Sequence, residues 1–123
     1  MSGRDGDASG AEAGGELQRL REAIDRLDRQ IVHLINERAR LTRAIGAEKA
    51  RLGLRVRDAG REREVLLRVS MANEGPTPQV DLLAVYRRLI AAARSLEARE
   101  QDRVRDADPA SAGPHAHDPT PSD

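Results

Sequence analysis

The sequence predicts an all-α fold of three helices, one long and two shorter, in a chain that pairs with a second copy. Apolar residues recur at helical spacing through most of the chain, and no segment shows the alternation of period two that is typical of a strand. Glycine and proline interrupt the pattern mainly around Gly53 and in the stretch NEGPTP, which divides it into three segments.

The first helix begins near Leu17 and carries a narrow apolar seam. Its apolar residues follow one another at steps of three and four, which indicates a helix packed along a seam. Gly53, followed by a new pattern, marks its end. The helix is thus about 35 residues and about 50 Å long. The seam consists of Leu17, Leu20, Ile24, Leu27, Ile31, Leu34, Leu41 and Ile45.

The second helix starts after Asp58, a good N-cap residue, and ends before NEGPTP. Thr77 and Pro78 suit the N-cap and first turn of the third helix. The apolar side of the second helix comprises Val65, Leu66 and Val69. The inward face of the third comprises Leu82, Leu83, Tyr86, Leu89, Ile90, Ala93 and Leu96.

Two short helices can cover only part of a 50 Å helix, so we expect a second copy of the chain to cover the rest. Residues 16–101 form the expected helical domain. Residues 1–15 and 102–123 are rich in Gly, Ala, Ser, Pro and Asp without apolar periodicity, and we expect them to be disordered tails.

Composition argues against several functional classes. The net charge is zero with acids and bases interspersed, and Tyr86 is the one aromatic residue, so neither a polyanion-binding surface nor a stacking platform for nucleic acid is expected. The chain has no cysteine, no membrane-span pattern and no phosphate-loop or zinc motif. We therefore expect a cytoplasmic protein without metal or cofactor; His33 is expected to be structural or partly exposed.

Lys49 is the only lysine among 21 Lys and Arg residues. Arg38 stands where the seam calls for an apolar residue, so it either reaches solvent or serves a site. Lys49 follows Arg38 by about three helical turns, about 16 Å along the axis, and a small dianion would fit between them. The alternative is that Lys49 is an ordinary solvated helix charge.

Asp58 and Glu62 lie one turn apart on the apolar side of the second helix. Two like charges at this spacing are mildly unfavourable, so the pair contributes little to the helix. Asp58 can simply be a cap, and Arg61 can simply pair with Asp58 or Glu64. Glu62, on the core side, is the stronger candidate for a functional carboxylate.

Several motifs in the stretch LREAIDRLDRQIVHLINERARLTRAIGAEKARLGLRVRDAGREREVL together resemble the all-helical (AroQ-type) chorismate mutases. These are LRxxID, ER, GxxK and VRDxxRE, in order and at the family's distances, and the resemblance covers roughly residues 17–99. It implies an intertwined homodimer that rearranges chorismate to prephenate in phenylalanine and tyrosine biosynthesis. The substrate-binding residues that it implies are Arg21, Arg38, Lys49, Asp58, Arg61, Glu62, Ala93 and Glu97.

The resemblance also implies roles. Two arginines bind the substrate carboxylates, Lys49 the ether oxygen and a carboxylate, and Asp58 and Glu62 the hydroxyl; Lys49, Glu97 and Arg38 are the expected catalytic residues. Arg21 lies about 40 Å from Lys49 along a continuous helix, so it must come from the partner chain.

The third helix departs from the family pattern at two positions. Ala93 and Glu97 stand where the family usually has Ser and Gln. An ionised Glu97 would oppose negative charge on the ether oxygen, so we expect it to act protonated and activity to rise as pH falls.

Three alternatives remain open. A relative acting on isochorismate or aminodeoxychorismate would share the fold. A non-catalytic helical dimerisation or regulatory module is a second alternative, and dependence on a partner enzyme of aromatic biosynthesis is a third.

Overall fold

Three helices make up the part of the protein that the structure describes. The computed structural model describes the backbone of residues 2–107 and the side chains of residues 14–107, and within that part it contains no strand. The helices are α1 (Ser2–Leu52), α2 (Ala59–Ala72) and α3 (Gln79–Ala107). The all-α prediction of one long and two shorter helices is confirmed.

The start of α1 and the end of α3 both lie outside the predicted helical domain. Helix α1 begins at Ser2 rather than near Leu17, so its backbone includes most of the predicted tail 1–15. These residues contain no proline, and the ladder of backbone hydrogen bonds can therefore continue through them. Helix α3 ends at Ala107, beyond the predicted boundary at 101, and the rest of the expected tail 102–123 lies outside the described residues.

The end of α1 is fixed by Gly53, as predicted. Gly53 has φ +71°, a conformation that favours glycine. Its N–H donates to the Ala50 carbonyl at 3.3 Å, and the Leu54 N–H donates to the Lys49 carbonyl at 2.8 Å. This Schellman arrangement closes the helix one turn after Lys49 and sets the start of the connection to α2.

Side chains fix the start of α2 and the turn into α3. Asp58 is the N-cap of α2, as predicted, because its side chain accepts a hydrogen bond from the Arg61 N–H at 2.9 Å. Asn73 organises the next turn by accepting from the Gly75 N–H and donating to the Thr77 carbonyl. The Pro78 carbonyl accepts the first helical bond of α3, one residue after the predicted cap at Thr77.

The chain divides into two compact units, residues 1–38 and 39–123. In the first unit, the described part of α1 leaves its apolar seam open, with Leu17, Leu20, Ile24, Leu27, Ile31 and Leu34 all 47–59% exposed. In the second unit, Ile90 is the buried apolar residue, while Thr42, Glu97 and Gln101 are buried polar ones. The core described here is therefore small, and it contains polar groups that need partners.

None of the helices, over the residues described, has the length and apolar character needed to cross a membrane.

Candidate functional site

Lys49 and Glu97 form a largely buried ion pair in the second unit. The Lys49 Nζ lies 2.8 Å from the Glu97 Oε1, and the two side chains are only 18% and 12% exposed. The Lys49 ammonium also donates a hydrogen bond to the Val56 carbonyl at 2.6 Å. The only lysine of the chain is therefore held in a fixed position by α3 and by the loop after α1, and the ordinary solvated-charge interpretation is wrong.

Gly46 explains how Lys49 comes so close to α3. A Cβ atom at Gly46 would lie 2.9 Å from both the Cα and the carbonyl oxygen of Glu97, and 3.2 Å from the Glu100 Cβ. Only a residue without a side chain allows α1 and α3 to approach to this distance. Because Lys49 follows one turn later, this close approach brings its ammonium to Glu97.

A second ion pair joins α2 to α3. The Arg94 Nε lies 2.9 Å from the Glu62 Oε2, while the Glu62 Oε1 is 4.0 Å from the Arg57 Nε. The Glu62 side chain is 19% exposed. Its expected position on the core side of α2 is confirmed, and its partner is a residue that the sequence did not suggest.

Arg94 and Glu97 lie one turn apart on α3, so the two ion pairs are neighbours on one helix. We call Lys49, Glu62, Arg94 and Glu97 the α3 cluster. Its two cations and two carboxylates sum to zero charge. Among the residues described, no group of histidine, cysteine or acidic side chains could hold a metal ion. What the cluster offers chemically is a set of fixed charges, which suits binding and electrostatic stabilisation.

Gln101 anchors the loop between α1 and α2 from the end of α3. It is 7% exposed, and its side-chain amide donates to the Leu54 carbonyl at 3.0 Å. The carbonyls of Leu54 and Val56 are thus each held by a side chain, one from α3 and one from α1. The loop that precedes Asp58 is fixed relative to both helices.

Two other predicted site residues make only local contacts. Asp58 is exposed, and its Oδ1 is used as the N-cap of α2. The Arg61 side chain, 57% exposed, pairs with Glu64. The simpler interpretations given for these residues, a cap and a local ion pair, therefore describe their contacts within the chain.

The remaining predicted residues differ in burial. Ala93 is half-buried on α3, one turn before Glu97. In the first unit, Arg38 is half-buried and Arg21 is exposed. His33 lies 3.0 Å from Glu37 on the surface of the same helix, in agreement with the structural or exposed role expected for it.

Two local ion pairs perturb carboxyl groups near the cluster. A hydrogen bond from Arg51 lowers the pKa of Glu48, and a hydrogen bond from Arg103 lowers the pKa of Glu100. Glu48 is exposed, so its charge stays in contact with solvent.

Gly46, Arg94 and Gln101 were not identified as site residues from the sequence. A helical glycine three residues before the lone lysine was a usable signal for Gly46, since glycine in a helix interior is costly without a packing reason. Arg94 is one of 20 arginines and Gln101 lies at the edge of the predicted tail, so neither stood out.

The chain is similar in sequence and in fold to known proteins. Residues 20–98 match the family model described as chorismate mutase type II. A bifunctional chorismate mutase/prephenate dehydratase from Aquifex aeolicus (strain VF5) is 41% identical over 86 residues, which cover 67% of this chain and 24% of that protein. The chain thus spans about a quarter of that relative's length.

The solved structure of chorismate mutase (form II) from Thermus thermophilus is similar in fold. It superposes with a TM-score of 0.67 at 36% identity, covering 68% of this chain and 96% of that one. The likeness therefore extends over nearly all of the Thermus chain.

Proposed function

The chain belongs to the type II chorismate mutase family, and we propose that it is an isomerase that rearranges chorismate to prephenate in phenylalanine and tyrosine biosynthesis. The observation that carries this proposal is the Lys49 ammonium, held by the Val56 carbonyl and by Glu97 in a largely buried position. A fixed point charge of this kind suits a single oxygen atom better than the planar fork of an arginine does.

The reaction explains why fixed charges suffice. The rearrangement is pericyclic: the carbon–oxygen bond of the ether breaks as the new carbon–carbon bond forms, and no proton is transferred. The enzyme must hold a compact conformer of the dianion and stabilise negative charge that grows on the ether oxygen. Lys49 would supply that charge stabilisation.

Glu97 complicates this role because it faces the same ammonium. Its Oε1 is 2.8 Å from the Lys49 Nζ. A substrate oxygen must therefore share or replace this contact. We propose that Glu97 helps when it is protonated, because a carboxylic acid can donate a hydrogen bond to the ether oxygen and a carboxylate cannot.

The other substrate contacts are proposed from the resemblance. Glu62 would accept a hydrogen bond from the substrate hydroxyl, a role supported by its partial burial. Asp58 would assist through the oxygen not used in the cap, and Ala93 would give a small apolar contact. Of Arg38, Arg61 and Arg21 of the partner subunit, two would bind the substrate carboxylates, because guanidinium groups match carboxylates in bidentate geometry.

We also propose an intertwined homodimer. Six apolar side chains of the α1 seam are 47–59% exposed in a single chain. Exposed apolar faces of this extent indicate a protein interface, and the 3-4 spacing of the seam suits a partner helix. A second copy covering this seam would also bring in Arg21 of the partner subunit.

A partner enzyme of aromatic biosynthesis is proposed as well. The relative from Aquifex aeolicus is named as both a chorismate mutase and a prephenate dehydratase. Fusion of consecutive activities supports the idea that an enzyme acting on prephenate works together with this chain. We propose that both act in the cytoplasm.

The proposal is tested by following chorismate consumption by absorbance, with identification of the product. We expect wild type to form prephenate and Lys49→Ala to lose about 100- to 1,000-fold in kcat, the effect of removing one group that stabilises a growing oxyanion. Arg51→Ala is the matched control, because Arg51 is a neighbouring but 66% exposed cation paired with Glu48.

Three results would contradict the proposal. Consumption by wild type that yields a different product would point to another reaction of chorismate, and no consumption at any pH would favour a related substrate or a non-catalytic module. Equal activity of wild type and Lys49→Ala would overturn the assignment of Lys49.

A further inference from the structure

Arg94 is the charged residue of the α3 cluster that has no part in the proposed mechanism. We propose that Arg94 is a positioning residue, which holds the Glu62 carboxylate in the orientation that receives the substrate hydroxyl. The inference rests on the proposed function, since it deepens the role given there to Glu62.

The two carboxylate oxygens of Glu62 differ in their contacts. The Oε2 is 2.9 Å from the Arg94 Nε, whereas the Oε1 is 4.0 Å from the Arg57 Nε, at the outer limit of an ion pair. Arg57 is 67% exposed and can move away at little cost. The Oε2 is therefore the anchored oxygen, and the Oε1 is the one available to a ligand.

The anchor is rigid because it joins two helices. Glu62 lies in the first turn of α2 and Arg94 in the middle of α3, and the Arg94 Nε is buried. The Arg94 Nε makes no hydrogen bond of normal geometry, so the ion pair with the Glu62 Oε2 at 2.9 Å is what compensates its burial. A glutamate without this contact could adopt several rotamers. Fixing its side chain on binding would then cost conformational entropy and weaken substrate binding.

Arg94 also compensates the charge of Glu62. An isolated carboxylate near a dianionic substrate would repel it, and the repulsion is strong where water is partly excluded. With Arg94 beside it, Glu62 can accept a hydrogen bond without adding net negative charge to the site. Orientation and neutralisation both act on binding of the hydroxyl, away from the bonds that break and form.

This separation predicts a specific kinetic signature. A contact to the hydroxyl is made alike in the ground state and the transition state, so its loss raises KM and leaves kcat nearly unchanged. For Arg94→Leu we expect KM to rise about 10- to 100-fold, the range given by losing one hydrogen bond to a charged group. Lys49→Ala, in contrast, should lower kcat.

The test compares Arg94→Leu, Arg94→Lys, Glu62→Gln and the double variant Arg94→Leu/Glu62→Gln in the chorismate assay. Because Arg94 acts through Glu62, the double variant should be no worse than Glu62→Gln alone. Arg94→Lys keeps the charge and should recover part of the loss. Arg99→Leu, at an exposed position of α3, is the control and should match wild type.

The outcomes separate this inference from the proposed function. If wild type forms prephenate but Arg94→Leu has an unchanged KM, or if the losses of the two single variants multiply in the double variant, the positioning role is wrong. If Arg94→Leu fails to fold, the same comparison of single and double variants is made with Arg94→Lys and Glu62→Gln. If wild type itself forms no prephenate, the proposed function has failed instead.

Discussion

Replacing Gly46 by alanine tests whether the close approach of α1 and α3 places the catalytic lysine. The added Cβ would lie 2.9 Å from two backbone atoms of Glu97, and backbone cannot turn aside as a side chain can. The helices must therefore separate by about 0.5 Å or more to reach ordinary van der Waals distances. That shift should move Lys49 away from Glu97 and from any ligand.

Two opposing terms set the effect on stability. Overpacking of this kind costs about 1–3 kcal/mol, and alanine gains about 0.8–1 kcal/mol over glycine in a helix interior. The net loss is about 0–2 kcal/mol, a fall in Tm of several degrees for a domain of this size. The effect on catalysis should be larger, because a misplacement of about 1 Å can cost about 100-fold; we expect kcat to fall about tenfold or more.

Thermal unfolding measures the change in Tm, and steady-state kinetics on the same preparations measures the change in kcat. Gly60→Ala is the matched control, since its Cβ would meet the Asp58 Oδ1 at 3.5 Å, an ordinary contact. This variant should keep or slightly raise Tm and retain activity. If Gly46→Ala is likewise more stable than wild type and equally active, the reasoning from the close approach is refuted.

Two further predictions concern Glu97 and the dimer. Activity of wild type should rise as pH falls, because a protonated Glu97 can donate to the ether oxygen. Glu97→Gln should flatten this pH dependence of activity. Coinciding pH profiles of the two proteins would show that the proton on Glu97 is irrelevant. Arg21→Ala and Lys49→Ala should each be nearly inactive, but co-expressed they should recover about a quarter of wild-type activity, because half of the dimers are mixed and each has one intact site. No recovery in purified mixed dimers would mean that one chain supplies both residues.

The sequence predicted the helices well because their determinants are local. The 3-4 spacing of apolar residues, Gly53 at a C-terminus and Asp58 at an N-cap each act within a few residues, and all three are found where the pattern placed them. The outer ends were predicted less well. Composition alone gives no sharp limit at the start of α1, where residues 1–15 contain no proline, whereas Pro109, two residues after the end of α3, was a usable stop signal.

The candidate site was predictable only in part. Lys49 and Glu62 were identified because a rare residue type and a charge on an apolar side are visible in the sequence. Arg94 and Gln101 were missed because their importance arises from contacts between residues far apart in the chain, such as the 47 positions between Gln101 and Leu54. An arginine that pairs across helices cannot be distinguished by type from one in solvent.

Two residues of the loop between α1 and α2, Leu54 and Val56, hold the surrounding side chains through their backbone oxygens. The Val56 carbonyl accepts from Lys49, and the Leu54 carbonyl accepts from Gln101. Every residue type has such an oxygen, so substitutions of side chains at these two positions leave both acceptors in place. Insertion or deletion of one residue would move them out of reach. What must be preserved at Leu54 and Val56 is therefore the length of the loop, and the identities of these two residues are comparatively free to vary.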